Sequence, residues 1–95
     1  MAATVRLPAT LRPWADGQKL VEVEPAPVAQ AIHSLCARYP AIAERVLDEA
    51  GKTRRFVNVY VNGQDIRLLQ GEDTPVQEGD EVIIAPAVAG GALPQ

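Results

Sequence analysis

The sequence predicts an α+β domain in which a mixed sheet of four to five strands is covered on one face by one main helix. Three observations predict it. Apolar residues alternate with polar ones near both ends of the chain and in its middle, the period of a half-buried strand. One stretch, Val28 to Tyr39, carries its apolar residues at helical spacing instead. Turn-forming pairs, Asp16-Gly17 and Asn62-Gly63, precede or separate the strand-like runs. At 95 residues there is room for one modest core.

In order, Thr4-Val5-Arg6-Leu7 reads as a strand with Val5 and Leu7 on one face, ended by Pro8. Leu11 to Gln18 contains Pro13, Trp14 and the Asp16-Gly17 turn. Lys19 to Glu24 alternates again, with Val21 and Val23 inward and Glu22 and Glu24 outward, which completes a hairpin. Pro25-Ala26-Pro27 breaks that strand, and Pro27 suits the first turn of a helix, where its missing N–H costs nothing. Val28, Ile32, Leu35, Cys36 and Tyr39 form the helix's apolar stripe, and Pro40 blocks its continuation. Ala41 to Leu47 adds a short second helical piece with Ile42 and Val46 inward, and the charged stretch Asp48 to Arg55 reads as an exposed loop.

Phe56-Val57-Asn58-Val59-Tyr60-Val61 is the strongest strand signal. Its valines share one face, with Phe56, Asn58 and Tyr60 on the other. Asn62-Gly63 turns the chain into a short return strand, Gln64 to Arg67. Leu68 to Glu78 reads as loop, and Glu78-Gly79-Asp80 as a turn into a last strand, Glu81 to Ala85, which Pro86 closes. The first and last strands share a core most economically by lying side by side and parallel. That arrangement is the β-grasp architecture, spanning residues 1–86.

Residues 87–95 are small and uncharged, with Gly90 and Gly91 four positions before Gln95. Such a stretch cannot bury enough side chain to fold alone and is expected to be a flexible tail. Two glycines give it the slimness to thread a narrow cleft; a frayed end with no role is the alternative.

Composition narrows the function. The net charge is −3, and Lys19 and Lys52 are the only lysines, so no nucleic-acid partner is expected. Cys36 is the only cysteine, which excludes an internal disulfide and a multi-cysteine metal site. His33 and Cys36 lie three apart on the helix but supply only two ligands, so no metal is expected; Cys36 reads as core and His33 as a solvated position. The acidic residues Glu44, Asp48, Glu49, Glu72 and Asp73 read as solvated surface. Neither a basic leader, a long apolar run nor a membrane-spanning stretch is visible, so no membrane is implicated and a cytoplasmic location is expected. No Ser–His–Asp set or phosphate-binding loop is present, so the chain is not expected to be an enzyme.

The run Arg55-Phe56-Val57-Asn58-Val59-Tyr60-Val61-Asn62-Gly63-Gln64-Asp65-Ile66-Arg67 resembles the central segment of the MoaD/ThiS family of ubiquitin-like sulfur carriers. Glu78-Gly79-Asp80-Glu81-Val82 and Pro86-Ala87-Val88-Ala89-Gly90-Gly91 resemble that family's last strand and tail. Leu7 to Pro13 and Gly17-Gln18-Lys19 are most similar to its cysteine-synthesis branch. The chain departs from the family in continuing past the second glycine with Ala92-Leu93-Pro94-Gln95. A mid-chain glycine has no carboxylate to activate, so the resemblance implies a precursor cut between Gly91 and Ala92 by a JAMM-type zinc protease. It further implies an E1-like adenylating enzyme of the MoeB/ThiF type. That enzyme would use ATP and Mg to adenylate Gly91, after which a thiocarboxylate forms and a sulfur-accepting synthase takes the sulfur. Ala89, Gly90 and Gly91 would be the working tail, and the carrier itself would hold no cofactor.

Docking to those partners is expected on the sheet face away from the helix, where strand parity places Arg6, Phe56, Tyr60 and Ile83. Two alternatives remain open: a protein modifier conjugated through Gly91, and a β-grasp binding module with no tail chemistry.

Overall fold

The computed structural model describes residues 2–86. Its main sheet contains β1 (Ala3–Arg6), β2 (Leu20–Val23), β4 (Val57–Val61), β5 (Gln64–Asp65) and β7 (Glu81–Pro86), in the spatial order β2-β1-β7-β4-β5. A second, two-stranded sheet joins β3 (Ala26–Pro27) to β6 (Pro75–Val76). β1 and β7 run parallel, with Val5 opposite Val82, and every other pairing of these strands is antiparallel. The expected β-grasp topology is therefore present.

α1 (Val28–Arg38) lies across one face of the main sheet and buries Val28, Ala31, Ile32, Leu35 and Cys36. The sheet answers with Val5, Val21, Val23, Val59, Val61, Val82 and Ile84, all buried. Period two on the strands and period 3.6 on the helix thus meet in one core. α1 begins after Pro27, whose φ of −58° and ψ of 151° are extended, and no side chain caps it. Instead the Val28 amide donates to the Thr74 carbonyl at 2.9 Å, which satisfies one of the unpaired donors at a helix start. Tyr39 ends α1 at φ −133°, ψ 79° and simultaneously opens α2 (Pro40–Val46); a residue before proline is pushed out of the helical region. Ile42 and Val46 of α2 are buried as expected.

Five expectations are corrected. The Leu11–Gln18 connection is not a bare turn but holds a 3₁₀ turn, Arg12–Ala15, that buries Leu11 and Ala15 before Asp16 (φ 58°) and Gly17 (φ 78°) reverse the chain. Pro25-Ala26-Pro27 ends β2 yet supplies β3, since a proline is tolerated where the ladder is only two residues long. The return strand stops at Asp65 because its carboxylate caps a 3₁₀ turn, Ile66–Leu68, by accepting the Arg67 amide at 2.8 Å. Residues 68–78 are structured: they hold a 3₁₀ turn, Gly71–Asp73, and β6, and they bury Thr74 and Val76. Finally, β7 includes Pro86, opposite Val57, a strand end where no further ladder bond is needed.

Candidate docking face and tail base

The register of the main sheet builds one continuous row across all five strands on the face away from α1. Leu20 stands opposite Arg6, Arg6 opposite Ile83, Ile83 opposite Tyr60, and Tyr60 opposite Asp65. Their sequence neighbours Val5, Val21, Val61, Val82 and Ile84 point into the core, so parity alone sends the row outward. Leu20 and Arg6 are exposed, and Ile83 and Tyr60 are half-buried. Adjacent side chains on one sheet face lie within contact distance, so the centre of the row is an apolar strip with charge at each flank.

Arg6 is held by Glu81, Nη2 to Oε2 at 3.0 Å and Nε to Oε2 at 3.1 Å. An exposed pair of this kind adds little stability, but it holds the Arg6 guanidinium beside Glu81 of β7. At the far flank, Asp65 accepts from Arg67 Nη2 at 2.7 Å and from Arg67 Nε at 3.1 Å. The Arg67 side chain and then its amide hold the Asp65 carboxyl below the usual carboxylate range. Arg67 Nη2 also donates to Asn58 Oδ1 at 3.2 Å.

Arg6, Tyr60 and Ile83 are therefore brought together as expected. Phe56 is not in the row: it occupies a turn just before β4 and is 57% exposed. Because Val57 pairs with Pro86, Phe56 adjoins the point where residues 87–95 begin. Leu20, 45% exposed, belongs to the row and was missed. The alternation that put Val21 and Val23 inward already sent Leu20 outward with Glu22. Val57, on the same face as the buried Val59 and Val61, is only half-buried, being the last paired residue at that sheet end. Ala89, Gly90, Gly91 and the junction to Ala92 lie outside the described residues.

The remaining candidates resolve simply. Cys36 is buried, and that burial pushes its thiol up to about 11, the opposite of an activated nucleophile. His33 is exposed, with Nε2 2.7 Å from the Gly51 carbonyl, and so anchors the loop after α2. Among the described residues no group of three or more His, Cys, Asp or Glu could hold a metal ion, and no helix is long and apolar enough to cross a membrane.

Fold and face together define a ubiquitin-like β-grasp protein. Comparison with known proteins narrows this. Residues 5–91 match the ThiS family, and the chain belongs to that family. It is 45% identical over 93 residues to sulfur carrier protein CysO of Mycobacterium tuberculosis, covering 96% of this chain and 100% of that one. A chain in the crystal structure of the Amycolatopsis orientalis BexX/CysO complex superposes with a TM-score of 0.84 at 42% identity, covering 95% of this chain and all of the other. The solution structure of small archaeal modifier protein 1 from Methanosarcina acetivorans gives a TM-score of 0.85 at 29% identity, covering 95% and 96%.

Proposed function

We propose that this chain is a sulfur carrier that works through Gly91 after removal of Ala92–Gln95. The observation that carries the reading is the near full-length likeness to sulfur carrier CysO. That the family match ends at Gly91 supports placing the working terminus there.

On this reading a zinc protease of the JAMM type hydrolyses the Gly91–Ala92 amide and frees a carboxylate. An E1-like enzyme of the MoeB/ThiF type binds Mg-ATP, and the Gly91 carboxylate attacks the α-phosphorus, expelling pyrophosphate and leaving an acyl adenylate. Sulfide attacks the acyl carbon and AMP departs, which leaves a thiocarboxylate on Gly91. Where an enzyme persulfide is the donor, its attack expels AMP to give an acyl disulfide, and a second thiol cleaves that disulfide, forming a new disulfide and releasing the thiocarboxylate. A thioacid is ionised and nucleophilic near neutral pH, and a sulfur-accepting synthase, of cysteine or another thio-metabolite, consumes it. The carrier supplies the tail and the docking strip of Leu20, Arg6, Ile83 and Tyr60, with Phe56 beside the tail's root. Partner enzymes supply the catalysis and the ATP site, and the steps take place in the cytoplasm. A glycine at the terminus leaves the carbonyl open to attack from either face.

Intact mass spectrometry of the untagged protein from its own host tests this. The expected spectrum contains a species ending at Gly91 and a second one heavier by the difference between sulfur and oxygen. A population ending only at Gln95 under sulfur demand overturns the reading. The likeness to a small archaeal modifier protein favours a second use of the same terminus, an isopeptide bond to a target lysine. Higher-mass adducts that disappear in a Gly91 deletion would identify that use.

A further inference from the structure

We infer that the apolar cleft at the root of the tail is a seat for Leu93, so that the uncut chain folds its own end back onto the domain. This inference goes beyond the sulfur-carrier reading and does not depend on it. The cleft, of about 220 Å³, is lined by Thr10, Leu11, Arg45, Val46, Val57 and Ile84. It lies where α2 meets the start of β4 and the last rungs of β7. Leu11, Val46 and Ile84 are buried and form its floor, while half-buried Val57 and exposed Thr10 and Arg45 surround its mouth. No carboxylate lines it. Arg45 is already engaged: Nη1 donates to the Ala41 carbonyl at 3.0 Å, and the guanidinium carbon lies 4.0 Å above the Trp14 ring. The cleft therefore suits an uncharged occupant, with room for one branched aliphatic side chain.

Position and composition select the occupant. Val57 pairs with Pro86, so residues 87–95 begin beside the mouth. Those nine residues carry no charge, and Leu93 has the largest aliphatic side chain among them. Leu93 follows Pro86 by seven residues, roughly 23 Å of extended chain, which is ample for a return. Gly90-Gly91 is a pair suited to a two-residue reversal. A reversal there sets Ala92 opposite Ala89 and Leu93 opposite Val88. Val88 has the parity of Ile84, which is buried on the α1 side of the sheet, so Leu93 returns on the face that holds the cleft. Seating it covers the exposed part of Val57. A doubled-back tail is too thick for an enzyme cleft that admits one extended strand, and removal of Ala92–Gln95 takes the anchoring side chain away.

Amide and methyl NMR spectra of the full chain and of the chain ending at Gly91 test this. Differences centred on Leu11, Val46, Val57 and the Trp14 indole are expected, with nuclear Overhauser contacts from the Leu93 methyls to those of Val46 or Val57. Leu93→Ser in the full chain should shrink the differences by at least about fivefold, whereas Leu93→Met should keep them. Thr10→Asp, an exposed change at the mouth, should weaken them while the rest of the folded spectrum stays in place. Four results overturn the proposal. They are spectra that differ only beyond residue 86, differences that survive Leu93→Ser, Leu93 contacts to the Leu20–Tyr60 row, and differences that grow with protein concentration, which would assign the seat to a second copy's tail. None of these bears on the mass of the trimmed, sulfur-bearing form, so the two proposals fail separately.

Discussion

Cys36 illustrates what a single position contributes. Its thiol is pushed from an ordinary 9.0 up to about 11 by desolvation in the contact between α1 and the sheet. The unfolded thiol therefore ionises first. Its contribution to stability is complete below pH 9 and is lost as pH rises through about 11, roughly 2–3 kcal/mol at most. Urea unfolding of wild type and Cys36→Ala at pH 8 and pH 11 checks this. The variant should cost about 1 kcal/mol at pH 8 from the small cavity, and the difference between the two proteins should shrink or reverse at pH 11. Alkylation of the thiol in the native state should be slow and should follow unfolding. Arg45 shows the converse case, a surface residue that holds two elements together. Its guanidinium carbon lies 4.0 Å above the Trp14 ring and ties α2 to the 3₁₀ turn at Arg12–Ala15. Trp14 is the only tryptophan, so its fluorescence should shift in Arg45→Ala.

Among the elements, the segment from Ile66 to Asp80 matters most, because it replaces helix-capping side chains with its own backbone. Thr74 organises it: its hydroxyl donates to the Gly71 carbonyl at 2.7 Å and accepts the Gln70 amide at 3.0 Å, while its carbonyl takes the first amide of α1. Thr74→Val keeps the shape and removes both hydroxyl bonds; the Gln70 amide loses its acceptor, while the Gly71 carbonyl keeps the Thr74 amide. It should lower stability by about 0.5–1.5 kcal/mol, read from the urea midpoint, with the largest gain in amide exchange at Gln70. Turn carboxylates set the acid limit. Asp48 is held low by the Lys52 amide, Asp65 by Arg67 and Asp80 by the Asn62 side chain. Folded values below the unfolded 3.8 mean that the stabilisation is present above that pH and is lost as pH falls through the folded values. The unfolding midpoint should be flat near neutrality and drop below pH 4, less steeply in Asp65→Asn and Asp80→Asn.

At the scale of the molecule, one sheet face packs the core and the other is the face proposed to meet partners, and these two roles should separate by substitution. Leu20→Asp and Arg6→Glu change exposed side chains of the outer row and should leave the unfolding midpoint within about 0.5 kcal/mol of wild type. On the proposed reading they should reduce affinity for the activating enzyme at least tenfold, measured by calorimetry with the trimmed chain. Leu35→Ala on the core side should do the reverse, costing about 2–5 kcal/mol and leaving affinity unchanged while the protein stays folded. Two variants from opposite faces that moved both quantities together would show that the faces are not independent.

By itself the sequence determined the helix, the four longer strands, the Asp16-Gly17 and Asn62-Gly63 turns and the parallel pairing of first and last strands. The elements rest on a local period or on a residue with a restricted backbone, and the pairing follows from their order and the single core they must share. Arg6, Tyr60 and Ile83 were legible as a shared face for the same reason, and Leu20 was legible by the same alternation. Only the tertiary structure decided the rest. Pairing of Ala26–Pro27 with Pro75–Val76 joins residues about fifty positions apart with no periodic signal. The Thr74 carbonyl at the start of α1 and the His33 contact to Gly51 depend likewise on where long-range packing brings unpatterned segments. Such contacts are chosen by which backbone groups remain to be satisfied once the core has formed, and a local pattern carries no record of that choice.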